Sequence, residues 1–269
     1  MLNRQTVFFI TILLFFTNGV YSQLYNSAEV YGGKQQLRDF IKEELVYPEM
    51  AKDNKTEGTV VLSFLVKSDG TIGKLDVAQS VSPELDDESK RIFSKLLWDP
   101  AEYRGMKLDE EQTLEFQFKL SKYKRCVKNR GYDEIQYPYT PISNSLEVFE
   151  GFQLNERAKP IYDENGMSFN QFIVDNLVYP DAAMKQNIQG SVEVFFVVEP
   201  SGRVSNIKIL KPVGAGCTQE AIRLIKLLNW MPGIKDGNAV RTNLVLNIIF
   251  NLEDFEKHRY ISPNNANQM

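Results

Sequence analysis

Histidine, cysteine and clustered carboxylates are the side chains that most often assemble catalytic or metal centres, and in this chain their spacing assembles none. The only histidine among the 269 residues is His258, in a polar tail. A Ser-His-Asp set, a Cys-His pair and a histidine-based metal site each need an imidazole placed by folded elements, so none of them can be built. The acid clusters Asp86-Asp87-Glu88 and Asp109-Glu110-Glu111 read as a helix start and a turn. Neither has the apolar pocket that would tune a carboxylate for proton transfer. Cys126 and Cys217 are too few for a disulfide framework and read either as two thiols or as a single bridge. No glycine loop cradles a phosphate. The expectation is a protein that is not an enzyme and holds no cofactor and no metal.

What remains is the chemistry of the backbone. A strand at a sheet edge presents unpaired N–H and C=O groups, and an extended segment from elsewhere satisfies them by joining as a new strand. The elements that would offer such an edge are set out by an internal repeat. Tyr47-Pro48, Gly58, Gly70, Trp98-Asp99-Pro100 and Gly105 recur as Tyr179-Pro180, Gly190, Gly202, Trp230-Met231-Pro232 and Gly237, always 132 residues on. The constant offset from Phe40/Phe172 to Leu120/Leu252 leaves no insertion between the copies, so each is one complete fold unit.

Within the first copy Phe40, Ile41, Leu45 and Val46 are spaced for a helix that ends at Tyr47-Pro48. Val60, Leu62, Phe64 and Val66 alternate as a strand, Ser68-Asp69-Gly70 supplies a hairpin turn, and Ile72, Leu75 and Val77 continue as a second strand. Ile92, Phe93, Leu96 and Leu97 mark a second helix, and Leu114, Phe116, Phe118 and Leu120 a third strand. The second copy repeats the order, closing on Leu244, Leu246, Ile248, Phe250 and Leu252. The fold class is α+β: two domains in α-β-β-α-β order, each a three-stranded antiparallel sheet with one long and one short helix. Trp98 and Trp230 read as core, and the two Tyr-Pro pairs as either chain turns or neighbours of a ligand.

The segments outside the repeat have their own character. Val7 to Phe16 is apolar, Arg4 is the only charge before Glu29, and Val20-Tyr21-Ser22 fits a signal peptidase, so residues 1–22 read as a secretory signal peptide cleaved before Gln23. Retention of this segment as an inner-membrane anchor is the alternative. The boundaries are then domain 28–121, linker 122–159, domain 160–253 and polar tail 254–269. The linker carries Lys122, Lys124, Arg125, Lys128 and Arg130 and then Tyr137-Pro138-Tyr139. That run reads as a solvated connector or as a weak contact with an anionic envelope surface. Leu146, Val148 and Phe152 hint at one further strand. A formal net charge of −4 argues against nucleic acid as the main partner.

Tyr-Pro with a nearby Ala (Ala51, Ala183), Gly opening a strand, a turn Gly, and a closing Trp-x-Pro followed five residues later by Gly form one set at one spacing, found twice. This set resembles the TonB C-terminal domain, and Gly216-Cys217-Thr218-Gln219-Glu220-Ala221-Ile222-Arg223 is similar to the variant found in Bacteroidetes-type envelope proteins. The resemblance implies a periplasmic module whose last strand takes up an extended peptide, the TonB box of an outer-membrane receptor. In that family an inner-membrane helix and a Pro-rich spacer join the module to a proton-driven motor, whereas Gln23 to Glu44 holds no Pro-rich run.

On this reading the main peptide-binding edge is Asn243, Val245, Asn247, Ile249 and Asn251, where Val245 and Ile249 make an apolar strip. Asp175, Asn176, Val178 and Tyr179 form the approach segment beside it. Thr113, Glu115 and Gln117 give the first copy a second, more polar candidate edge. The expected partners are an outer-membrane TonB-dependent receptor or another envelope protein. A homodimer or scaffold that pairs its own edges is the alternative.

Overall fold

The computed structural model describes residues 25–162 and 168–255, so the segment 1–22 and the tail bearing His258 lie outside the described residues. The described residues gather into two compact units, 25–33 with 41–131 and 34–40 with 132–255.

The first copy opens with β1 (Tyr25–Asn26) and β2 (Glu29–Val30), then helix α1 (Gly33–Glu44) and the short helix α2 (Glu49–Asp53). Pro48 separates the helices, because proline bars its predecessor from helical geometry, and it then caps α2. A hairpin of β3 (Gly58–Val66) and β4 (Ile72–Gln79) leads to α3 (Pro83–Phe93), whose start is capped by the Ser82 hydroxyl. The chain returns through β5 (Trp98–Asp99), β6 (Ala101–Tyr103), β7 (Met106–Leu108) and β8 (Glu110–Phe118), and ends in α4 (Leu120–Arg130). The central sheet has the antiparallel order β4-β3-β8. Val60, Leu62, Phe64 and Val66 turn one face of β3 inward, where Phe64 meets Phe93 at 4.5 Å and Trp98 at 4.8 Å.

Residues 122–130, read from sequence as the beginning of a linker, are helical and belong to this unit. Tyr123 is buried and fixes α4 against Tyr47, with ring centroids 5.3 Å apart. A lone tyrosine at helical spacing in a run of cations is too weak a periodic signal to show this in sequence.

Beyond α4 come β9 (Val148–Phe149), β10 (Lys159–Ile161), helix α5 (Phe169–Asn176) and the short α6 (Asp181–Lys185). The hairpin β11 (Gly190–Val198) and β12 (Val204–Lys211), helix α7 (Cys217–Leu227), β13 (Asn229–Met231), β14 (Gly233–Lys235) and the long β15 (Asn238–Phe250) complete the copy. The sheet order is β12-β11-β15-β14, with β9 added in parallel to β15. Its core holds Val192, Val194, Phe196 and Val198 with Leu224, Ile225, Trp230, Ile248 and Phe250. A fully buried side chain of this size contributes about 1.5–3 kcal/mol relative to exposure.

The repeat landmarks acquire reasons here. Gly202 has φ +75° and sits where a β-carbon would meet the Trp230 carbonyl at 2.3 Å; Gly70, at φ +83°, faces the Trp98 carbonyl in the same way. Only glycine fits both the conformation and the approach. Both tyrosines of the Tyr-Pro pairs are core residues, and the Tyr179 hydroxyl donates to the Ile188 carbonyl at 2.7 Å.

The copies differ in their last strand. β7 and β8 are separated at Asp109, which accepts the Ser68 N–H at 2.7 Å. The matching residue is Arg241, buried within a continuous strand and paired with the buried Glu199 at 2.9 Å. The further strand hinted at by Leu146, Val148 and Phe152 is β9, with Phe149 as its buried residue and Phe152 exposed.

Candidate strand-edge site

The described residues leave one long backbone edge beside an apolar groove, and β15 supplies it. One side of β15 is taken by β11, from Gly190↔Phe250 to Val198↔Thr242. On the other side Ala239 donates to the Pro141 carbonyl and accepts from Ser143 N–H, each at 2.9 Å, and β9 pairs at Arg241 and Thr242. Backbone groups alternate sides along a strand, so the odd positions after Arg241 point to this same side. Beyond Thr242 no described strand pairs there. Asn243, Val245, Asn247 and Ile249 each bring one N–H and one C=O to the open edge.

The alternation also decides the faces. Ile248 and Phe250 are buried toward the helices, whereas Val245 and Ile249 are 47% and 65% exposed. Asn251 ends the edge: its side chain accepts the N–H groups of Glu253 and Asp254, and its carbonyl accepts from Phe255.

Between this edge and α5 runs a groove of about 230 Å³, walled by Phe169, Ile173, Val174 and Leu177 from the helix side and Leu246 and Ile248 from the strand. Small-molecule pockets usually occupy about 300–1,000 Å³. This groove suits a side chain or two from an added strand better than a cofactor. Among the described residues no group of His, Cys, Asp and Glu is placed to hold a metal ion.

The approach segment divides. Asp175 accepts from Gln171 at 2.9 Å, Asn176 donates its amide to the Phe172 carbonyl at 2.9 Å, Val178 exposes its side chain and Tyr179 is buried. The residues of this stretch that line the groove are Val174 and Leu177.

Two residues that the sequence reading named only within the family-like run, Glu220 and Arg223, hold the segment in place. Glu220 accepts the Val178 N–H at 2.7 Å and binds Arg223, whose other nitrogen donates to the Asn176 carbonyl at 2.6 Å. Glu88 and Arg91 do the same for Val46 N–H and the Glu44 carbonyl. The signal was present as a Glu-x-x-Arg recurring at the 132-residue offset. It is a common helix-surface pair, and only the fold shows what it clamps.

Thr113, Glu115 and Gln117 are exposed on the outer face of β8, and Lys122 donates to the Gln117 side chain. At the strand's start the Glu110 carboxylate accepts the Ala28 N–H at 2.6 Å and the Ser27 hydroxyl at 2.9 Å. Burial alone would raise the Glu110 pKa, but the hydrogen bonds from Tyr25, Ala28, Gln112 and Ser27 hold it below its ordinary value. This edge is therefore flanked by charge and partly tied down, unlike Asn243 to Ile249. Cys126 and Cys217 are both free thiols, the first half-buried and the second buried.

The fold thus defines a duplicated α+β module with an edge strand in each copy. The family model for the Gram-negative bacterial TonB protein C-terminal matches residues 43–120 and 175–252, and the chain belongs to this family, which is associated with transport in the envelope and binds outer-membrane receptors. The Pseudomonas aeruginosa TonB C-terminal domain is similar at 23% identity, covering 37% of this chain and 90% of that one, with a TM-score of 0.28. The Helicobacter pylori domain is similar at 16% identity, covering 32% and 78%, with a TM-score of 0.25. No curated protein matches the chain. No helix among the described residues is long and apolar enough to cross a membrane.

Proposed function

We propose that this chain, exported and cleaved before Gln23, captures an extended segment of an outer-membrane receptor by adding it as a strand to the second copy. The observation that carries this reading is the conjunction at β15: an unpaired edge at Asn243, Val245, Asn247 and Ile249 flanked by the groove under α5. Main-chain hydrogen bonds supply affinity in such a mode, and alternate side chains seated in a groove supply selectivity. Val245 and Ile249 cover the outer face of the incoming strand. The linker already adds one short strand, β9, to this side of β15. The first copy, with its polar outer face, serves as the partner module rather than as the principal grip.

Titration of the chain from Gln23 with periplasmic plug-end peptides of outer-membrane receptors, followed by residue-resolved NMR, tests the reading. Shifts should concentrate at Asn243 to Ile249 and along α5, and Ile249→Lys should weaken binding about tenfold through loss of an apolar contact. Unchanged affinity in that variant, or a self-paired dimer that shows no peptide-dependent shifts, overturns it.

A further inference from the structure

Helix α4 is held at three points. Its first N–H, from Leu120, donates to Glu57 at 2.7 Å; Tyr123 is buried; and Arg130 donates to the carbonyls of Lys42 and Glu43, each at 2.9 Å. Gly131, at φ 81°, closes it. The side facing the domain is thereby committed, and Lys124, Arg125 and Lys128 stand exposed on the other. No acidic residue occurs from Phe116 to Tyr132 in a chain of net charge −4. Among the described residues Lys124, Arg125 and Lys128 enter no ion pair. Two carboxylates beside the helix are engaged: Glu57 caps it and Glu49 pairs with Lys52 at 2.9 Å.

We infer that the exposed face of α4 is a second binding surface, one that rests on a bilayer carrying anionic phospholipid headgroups. A convex helix face has no concavity to enclose a single phosphate, but it gathers Lys124, Arg125 and Lys128 within about 100° of its circumference, with Lys124 and Lys128 about 6 Å apart along the axis. Lysine is a compact, hydrated point charge on a flexible stem, which suits diffuse attraction to headgroups more than bidentate recognition. Lipids diffuse laterally and gather under fixed cations, which a covalent anionic polymer cannot do. Because the apolar side of the helix is occupied by Tyr123, the contact is electrostatic, without insertion, and weakens with salt.

Sedimentation of the chain from Gln23 with vesicles tests this, since that chain retains every described residue. Partitioning is expected with phosphatidylcholine vesicles containing phosphatidylglycerol and not with phosphatidylcholine alone, and it should fall as salt rises. Each cation near an anionic surface is worth roughly fivefold, so K124Q/R125Q/K128Q should lower partitioning about 100-fold. The control K159Q/K185Q/K211Q removes the same charge from exposed sites of the second copy and should leave partitioning nearly unchanged. Retained near-ultraviolet circular dichroism shows that the α4 variant is folded. The inference is overturned by no preference for anionic vesicles, by an equal loss in the control, or by full competition from soluble polyglutamate at matched charge.

Discussion

Replacing Glu220 by alanine tests whether the Glu-x-x-Arg pair governs the groove wall. Glu220 is 8% exposed and accepts the Val178 N–H at 2.7 Å while bonding both forks of Arg223. Alanine leaves that part-buried N–H without an acceptor, at a cost of about 1–3 kcal/mol. The ion pair adds about 0–1 kcal/mol, because the Arg223 side chain is 44% exposed and screened by water. The loss should total about 1–4 kcal/mol, a fall in Tm of roughly 5–15 °C for the second unit. Glu220→Gln keeps an acceptor and should cost about 1 kcal/mol or less. Thermal unfolding gives the global value, and amide exchange at Val178 gives the local one, accelerating strongly in the alanine variant and little in the glutamine variant. If glutamine costs as much as alanine, or alanine changes stability by less than about 0.5 kcal/mol, the clamp is not the backbone-holding device the geometry describes.

Gly202→Ala forces a β-carbon to 2.3 Å from the Trp230 carbonyl at a φ of +75°, and should lower the urea midpoint by the equivalent of at least about 2 kcal/mol. Burial alone would raise the Glu44 pKa, but Lys95 and Arg91 pull it below its ordinary 4.5. The unfolded chain then takes up the proton first on acidification, so the stability Glu44 adds is complete above that value and is lost as pH falls through the lower folded value. The stability gap between wild type and Glu44→Gln, measured by urea unfolding, should therefore narrow from about pH 7 to about pH 3. Burial also pushes the Cys217 thiol up, and the residue is fully enclosed. A thiol reagent should titrate Cys126 in the native protein and both cysteines only after denaturation; a native protein with no reactive thiol would contradict this.

The sequence by itself determined the duplication, the order of the main elements and the presence of a single histidine. These follow from periodicity, from the 132-residue offset and from composition, all of which are local or self-referential signals. Val245 and Ile249 were visible as an apolar strip because strand alternation has a period of two, and Trp98 and Trp230 as core because each closes a helix beside a proline. Tertiary structure alone decided which side of β15 stays open, since that depends on where the linker's β9 and Ala239 contacts stop along the strand. It also decided that Tyr179 belongs to the core and that Val174 and Leu177 face the groove, a matter of helix rotation against the sheet that helical spacing leaves free. Glu220 and Arg223 became a clamp only once α7 lay beside the end of α5. The same holds for α4, where one buried tyrosine and one arginine reaching the backbone of α1 turned an apparent linker into a fixed helix. A contact between residues far apart in sequence is set by packing, and the chain's local pattern carries no record of it.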